Sequence, residues 1–156
     1  MINGCSLFSN VGIDETYFKE NGVEIKVANE LLEKRANFYR HLYPTVNMIC
    51  GDITDKKVFN EIVAEYKNNN CDFLIATPPC QGMSVAGKRD KQDKRNFLIT
   101  YVIEFIKQTK PSNIIIENVP QILKTYIEIN NKKTLIVDYI KDELSKIFMG
   151  GGEPTL

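Results

Sequence analysis

Short apolar runs alternate with longer stretches of helical periodicity along most of this chain. Apolar or β-branched runs fall near residues 2–8, 24–29, 46–50, 72–76 and 113–116. The segments between them repeat apolar residues every three to four positions. Residues 31–42 carry Leu31, Leu32, Ala36, Phe38, Tyr39 and Leu42. Residues 55–67 carry Val58, Phe59, Ile62, Val63 and Tyr66. Residues 93–107 carry Phe97, Leu98, Tyr101, Val102, Phe105 and Ile106. These spacings predict three amphipathic helices. A fourth stripe, Leu135, Ile136, Tyr139, Ile140, Leu144, Ile147 and Phe148, predicts a last helix over 132–148. Strands alternating with helices imply crossover connections and a parallel sheet, hence an α/β fold. The runs Phe73–Ala76 and Ile114–Ile116 are almost wholly apolar, which predicts strands covered on both faces.

A chain of 156 residues is long enough for one domain with a real core. There is no internal repeat and no linker that would divide it. Residues 150–156, Gly-Gly-Gly-Glu-Pro-Thr-Leu, predict a frayed, disordered tail after a domain spanning 1–149. Twenty basic residues balance twenty acidic ones, so net charge points to no class of partner. Clustering changes that slightly. Lys88, Arg89, Lys91, Lys94 and Arg95 crowd one segment, readable as a solvated loop or as a loop that meets phosphates. The four cysteines, Cys5, Cys50, Cys71 and Cys80, form no C-x-x-C pair, and His41 is the only histidine. No metal site is expected. Cys5, Cys50 and Cys71 read as small buried residues, and His41, late in a helical stripe, as a surface or helix C-cap residue. No secretory leader or membrane-length apolar run is visible, so a cytoplasmic setting with no membrane partner is expected.

In parallel sheets of this kind, ligands sit beyond the carboxyl ends of the strands. The first run ends in Phe8-Ser9-Asn10-Val11-Gly12, the second in Asn29-Glu30, and the third leads into Gly51-Asp52-Ile53. Phe8 offers a stacking face, and Gly12 permits close backbone approach at a helix start. Glu30 is placed to accept from ribose hydroxyls and Asp52 from an adenine amino group. This layout suits an adenosine-bearing cofactor, although no G-x-G-x-x-G is present. Taken singly, Glu30 and Asp52 read equally well as carboxylates at helix N-termini.

The next two strand ends are more specific. The fourth run leads into Thr77-Pro78-Pro79-Cys80-Gln81-Gly82-Met83-Ser84, and the fifth ends in Glu117-Asn118-Val119. Together with Phe8–Gly12, Ala28–Glu30, Gly51–Ile53, Asp93–Leu98 and Lys110-Pro111, these segments resemble the DNA (cytosine-5)-methyltransferase family over roughly residues 2–124. The resemblance implies a Rossmann-like, S-adenosylmethionine-dependent methyltransferase domain. It implies Cys80 as nucleophile and Glu117 as acid. It implies cofactor contacts from Phe8, Ser9, Gly12, Glu30, Asp52, Ile53, Pro79 and Leu98. Substrate contacts would come from Pro79, Gln81, Gly82, Ser84, Asn118, Lys88 and Arg89. The partner it implies is double-stranded DNA with the target cytosine flipped out of the stack.

The residue types suit that chemistry. Cytosine C5 is a poor nucleophile until a thiolate adds to C6 and breaks the ring's conjugation. A thiolate is both a good nucleophile and a good leaving group, which a serine alkoxide is not. A positioned carboxyl on N3 and the exocyclic amine stabilises charge that builds during addition. Pro78 and Pro79 restrict the loop that carries the sulfur.

Family members continue with further strands, a Gln-Arg-containing motif, a target-recognition region and a returning C-terminal helix. None of these is visible after residue 124. The chain is therefore expected to be incomplete on its carboxyl-terminal side, to lack the recognition domain, and to need a complementing C-terminal polypeptide for activity. Two other readings stand beside this one. One is a fragment of a transfer-RNA cytosine-5 methyltransferase. The other is a non-catalytic module that binds cofactor or partner.

Overall fold

A computed structural model describes residues 1–79, 97–129 and 132–148. Five parallel strands form the main sheet: β1 (Ile2–Leu7), β2 (Val23–Glu30), β3 (Asn47–Cys50), β4 (Phe73–Ala76) and β5 (Asn113–Ile116). Their spatial order is β3-β2-β1-β4-β5. Among the described residues four α-helices accompany them: α1 (Glu33–Leu42), α2 (Lys56–Asn68), α3 (Leu98–Thr109) and α4 (Ile136–Ile147). The expected α/β architecture with a parallel sheet is what forms. The chain divides into two compact units, Met1–Pro78 with Gln108–Glu117, and Pro79–Lys107 with Asn118–Leu156.

The first unit holds the sheet. β1 pairs with β2 on one side and β4 on the other, so Cys5 and Leu7 are fully enclosed. The β1–β2 register slips between Gly4 and Cys5, which leaves Lys26 as an extra residue in β2. Such a bulge shifts the alternation of side chains by one. It lets Ile25 and Ala28 join one cluster with Met48, Phe73 and Ile75 of the sheet and Ala36 and Tyr39 of α1. Phe18, from the β1–β2 connection, packs edge-on against Phe73 with ring centroids 5.3 Å apart. Asp55 caps α2 by accepting from the Lys57 amide at 2.7 Å, and Phe59, Ile62, Val63 and Tyr66 form the buried face of that helix.

Three expectations need correction here. First, the helix start expected at Gly12 is a single turn of 3-10 helix, Ile13–Glu15, followed in the β1–β2 connection by a second, Lys19–Asn21. Second, α1 buries only Ala36 and Tyr39, whereas Leu31, Leu32, Phe38 and Leu42 are exposed. Third, β5 is not covered on both faces. It is the last strand of the described sheet, and Ile115 stands 42% exposed.

In the second unit, α3 buries Ile99, Val102, Ile103, Phe105 and Ile106. α4 buries Ile136, Ile140 and Leu144, spaced one turn apart. Before α4 lies an antiparallel pair, β6 (Tyr126–Ile129) and β7 (Lys132–Leu135). Residues 132–135 are thus a strand, not the start of the last helix. The four residues of β7 pair in antiparallel register with β6, and the Ile136 amide then donates to Thr125 O at 2.9 Å as the helix begins. Lys107 and Lys146 both pair with Glu143, the former tying α3 to α4.

Candidate functional site

The carboxyl ends of β1, β2, β3, β4 and β5 place several of the singled-out residues along one edge of the first unit. The loop after β1 is unusual in its backbone. Phe8, Asn10 and Gly12 have φ of 60°, 52° and 80°, so every second residue is left-handed. Glycine tolerates this freely, but each non-glycine residue in that region costs on the order of 1 kcal/mol or more. The surrounding groups hold the loop in place. The Ser9 amide donates to Asn29 O at 2.9 Å, and its buried hydroxyl bonds Ser6 O at 2.9 Å and Asn29 O at 3.2 Å. The Gly12 amide closes a turn onto Ser9 O at 2.8 Å.

Glu30 is the central anchor. It is only 5% exposed, and its two oxygens accept from backbone amides on opposite sides. Oε2 takes the Asn10 amide at 3.0 Å and Oε1 takes the Leu32 amide at 2.8 Å. Arg35 lies 4.0 Å from Oε1. Each carboxylate oxygen has a second lone pair, so each retains the capacity to accept one further hydrogen bond. Asn29 adds a brace on the other side, donating to Ile49 O and Gly51 O at 3.0 and 3.1 Å.

Asp52 is exposed, with Oδ1 accepting from the Thr54 amide at 2.9 Å. Ile53 is 3% exposed and belongs to the core. Phe8 is half-buried and its carbonyl accepts from the Thr77 hydroxyl at 3.1 Å. That bond joins the exit of β4 to the exit of β1. Glu117 is exposed, and its amide donates to Ala76 O at 3.0 Å, which joins the exit of β5 to that of β4. Phe8, Thr77 and Glu117 are therefore linked through adjacent strand ends.

Pro79, Leu98 and Asn118 belong to the second unit. Pro79 and Leu98 are half-buried, and Asn118 Oδ1 accepts from the Val119 amide at 2.9 Å. Cys80, Gln81, Gly82, Ser84, Lys88 and Arg89 lie outside the described residues, as does the 150–156 segment. Of the other cysteines, Cys5 and Cys71 are buried as expected, and burial pushes the Cys71 thiol up to about 11. Cys50 is only half-buried, with Sγ 3.8 Å from Leu31 O. It stands at the rim of the sheet rather than inside it.

Sequence reasoning missed the groups beneath the β1 loop. Glu15 is 5% exposed and accepts a hydrogen bond from the Tyr39 hydroxyl, and the Tyr43 hydroxyl donates to Gly12 O at 2.7 Å. Burial holds the Glu15 carboxyl above its ordinary range. A Cβ on Gly12 would run into the Tyr43 ring and come within 2.9 Å of Tyr39 Cε2. Residue 12 must therefore be glycine for space as well as for φ. The polar residue Glu15 gave no sign in sequence that it would be enclosed.

The model of the C-5 cytosine-specific DNA methylase family matches residues 2–146. The chain belongs to this family. Among its curated members, the Type II methyltransferase M1.HgaI of Avibacterium volantium is 51% identical over 147 residues, covering 91% of this chain and 41% of that protein. The Type II methyltransferase M.DdeI of Desulfomicrobium norvegicum is 30% identical over 151 residues, covering 97% of this chain and 34% of that protein. The chain thus spans well under half the length of these relatives. Its fold also matches the crystal structure of a Spodoptera frugiperda DNMT2 variant, with a TM-score of 0.68 over 94% of this chain and 41% of that one, at 22% identity. For a C-5 cytosine-specific methylase, the usual methyl donor is S-adenosylmethionine.

Proposed function

We propose that this chain is the cofactor-binding and base-activating part of an S-adenosylmethionine-dependent DNA (cytosine-5)-methyltransferase of the restriction–modification kind. It acts together with a C-terminal polypeptide that reads the target sequence. In this reading residues 1–149 are one partial catalytic domain, working in the cytoplasm on duplex DNA with a flipped cytosine. The observation that carries the proposal is the family match over 2–146 combined with the position of Glu117, whose amide is bonded to the end of the strand that leads into Cys80.

The residues present fit the cofactor. The left-handed loop 8–12 brings backbone close to a ligand, Glu30 retains lone pairs for ribose hydroxyls, Asp52 is open to an adenine amine, and Phe8 offers a ring face. S-adenosylmethionine supplies an electrophilic methyl carbon when bound. Cys80 Sγ adds to C6 of the cytosine, and the ring's electrons shift toward C5. The Glu117 carboxyl, at N3 and the exocyclic amine, stabilises the charge of this adduct. After C5 is methylated, loss of its proton and expulsion of the Cys80 thiolate restore the aromatic ring. Lys88 and Arg89, near Cys80 in sequence, favour the thiolate and meet DNA phosphates.

The open edge at β5 supports the need for a partner. Among the described residues β5 pairs only with β4, and its Ile115 exposes an apolar side chain, the kind of edge strand that other polypeptide covers. The test is methyl transfer from labelled S-adenosylmethionine to cytosine-containing DNA. The 156-residue chain alone is expected to be inactive. Mixed with the C-terminal region of a relative such as M1.HgaI, it is expected to label C5, and Cys80→Ala is expected to abolish labelling. Labelling that persists in Cys80→Ala contradicts the proposal.

A further inference from the structure

Two tyrosine hydroxyls, that of buried Tyr39 on α1 and that of half-buried Tyr43 just after it, take no part in the chemistry above, yet both reach the β1 loop. Tyr39 and Tyr43 stand one turn apart with ring centroids separated by 4.8 Å. Tyr43 is the residue that ends α1, and its amide donates to Tyr39 O at 2.8 Å. Its hydroxyl donates to Gly12 O at 2.7 Å. The Tyr39 hydroxyl donates to Glu15 Oε2. Tyr39 is fully buried, and a phenylalanine there would fill the same space without a hydroxyl to desolvate. The hydroxyls therefore do something that packing alone does not.

What they hold is the strained segment. The near half of the loop, Ser9 and Asn10, is fixed by Asn29 and Glu30 at the end of β2. The far half, Gly12 to Glu15, has its side-chain anchors in the two tyrosines. A loop with three left-handed residues in five relaxes toward ordinary dihedrals unless both halves are held.

We propose that Tyr43 and Tyr39 are positioning residues for the cofactor, which clamp Gly12 and Glu15 so that the β1 loop stays in the shape that accepts S-adenosylmethionine. This rests on the cofactor reading above. The tyrosines themselves touch the loop, and their effect on the ligand passes through it. Pre-forming the loop spares the ligand the ordering penalty on binding.

The test compares Tyr43→Phe and Tyr39→Phe with the unaltered 156-residue chain. Three quantities are measured: S-adenosylmethionine affinity by calorimetry, melting without ligand, and amide hydrogen exchange of residues 9–15. Asn3→Ala is the control for simple destabilisation, because the Asn3 side chain donates to Asn69 O at 2.8 Å, at the opposite end of β1. Tyr43→Phe is expected to weaken affinity about three- to tenfold, the ratio that corresponds to one hydrogen bond of ordinary net strength. It is also expected to speed exchange in 9–15, whereas Asn3→Ala changes neither. Tyr43→Phe and Tyr39→Phe both binding within about twofold of the unaltered chain, with unchanged exchange in 9–15, overturns the inference. Failure of the unaltered chain to bind S-adenosylmethionine contradicts the cofactor reading instead, and loop exchange in the two variants then decides the clamp by itself.

Discussion

Glu30 and Asn10 are joined across the ends of β2 and β1, with carboxylate Oε2 accepting from the Asn10 amide at 3.0 Å. The same carboxylate takes the Leu32 amide through its other oxygen at 2.8 Å. A residue read from sequence as a ribose ligand is thus also a structural bracket. It fixes the loop on one side and the entry to α1 on the other.

Glu30→Gln separates these roles poorly but tests the bracket well. The amide keeps one acceptor oxygen and turns an NH2 toward the second backbone donor. A buried donor left facing a donor costs about 1–3 kcal/mol. The expected outcome is a urea midpoint lowered by that amount with an unchanged m-value, together with weaker S-adenosylmethionine binding. An unchanged midpoint would show that the two amides find other acceptors.

Glu15 makes stability depend on pH in a definite direction. Burial raises its pKa above the ordinary 4.5, the nearby Asp14 adds to the rise, and the Ser6 and Tyr39 hydroxyls oppose it. Above 4.5 the unfolded chain has lost this proton while the folded chain keeps it. Stability is therefore greatest where both states are protonated and falls as pH climbs from 4.5 through the raised value. The slope from this one group reaches at most about 1.4 kcal/mol per pH unit inside that window. Glu15→Gln keeps an acceptor for Tyr39 and removes the titration. Denaturation midpoints measured from acid to neutral pH should fall less steeply in Glu15→Gln; parallel curves would contradict the assignment.

The pair between Lys107 of α3 and Glu143 of α4 behaves oppositely. The hydrogen bond from Lys107, then that from Lys146, holds Glu143 below the ordinary carboxylate range. Its contribution is present above the unfolded value and is lost as pH falls through the folded one. Lys107 and Lys146 are 40% and 66% exposed, so solvent screens both pairs. Glu143→Gln is expected to lower stability near neutral pH by no more than about 1 kcal/mol and less in high salt. A larger, salt-independent loss would mean that the helices depend on this contact for more than a screened ion pair.

The five strands and the ends that carry Phe8, Glu30, Asp52 and Glu117 were legible because β4 and β5 are nearly all apolar, β1 to β3 carry short apolar or β-branched runs, and polar groups follow at most of their exits. The β6–β7 pair was not. Tyr126-Ile127-Glu128-Ile129 alternates with period two, followed by Asn130-Asn131 and a second short run. Four-residue strands compete badly with the long stripe of α4, which drew residues 132–135 into a predicted helix. α1 misled in another way. Its apolar residues lie on more than one side, and periodicity does not say which side meets the sheet, so Phe38 and Leu42 turn outward while Tyr39 turns in. The Glu15–Tyr39 bond was invisible for a different reason. It joins residues far apart in sequence, and only the fold brings a polar loop residue under a helix.

The account depends most on Cys80 acting as the nucleophile toward cytosine. The direct test is incubation of the chain, its complementing C-terminal polypeptide and S-adenosylmethionine with duplex DNA containing 5-fluorocytosine, followed by peptide mass spectrometry. Fluorine at C5 blocks the final elimination, so the account predicts a stable adduct on the peptide containing Cys80 and none with Cys80→Ser. Methylated DNA with no adduct at Cys80, or an adduct on another residue, would contradict it.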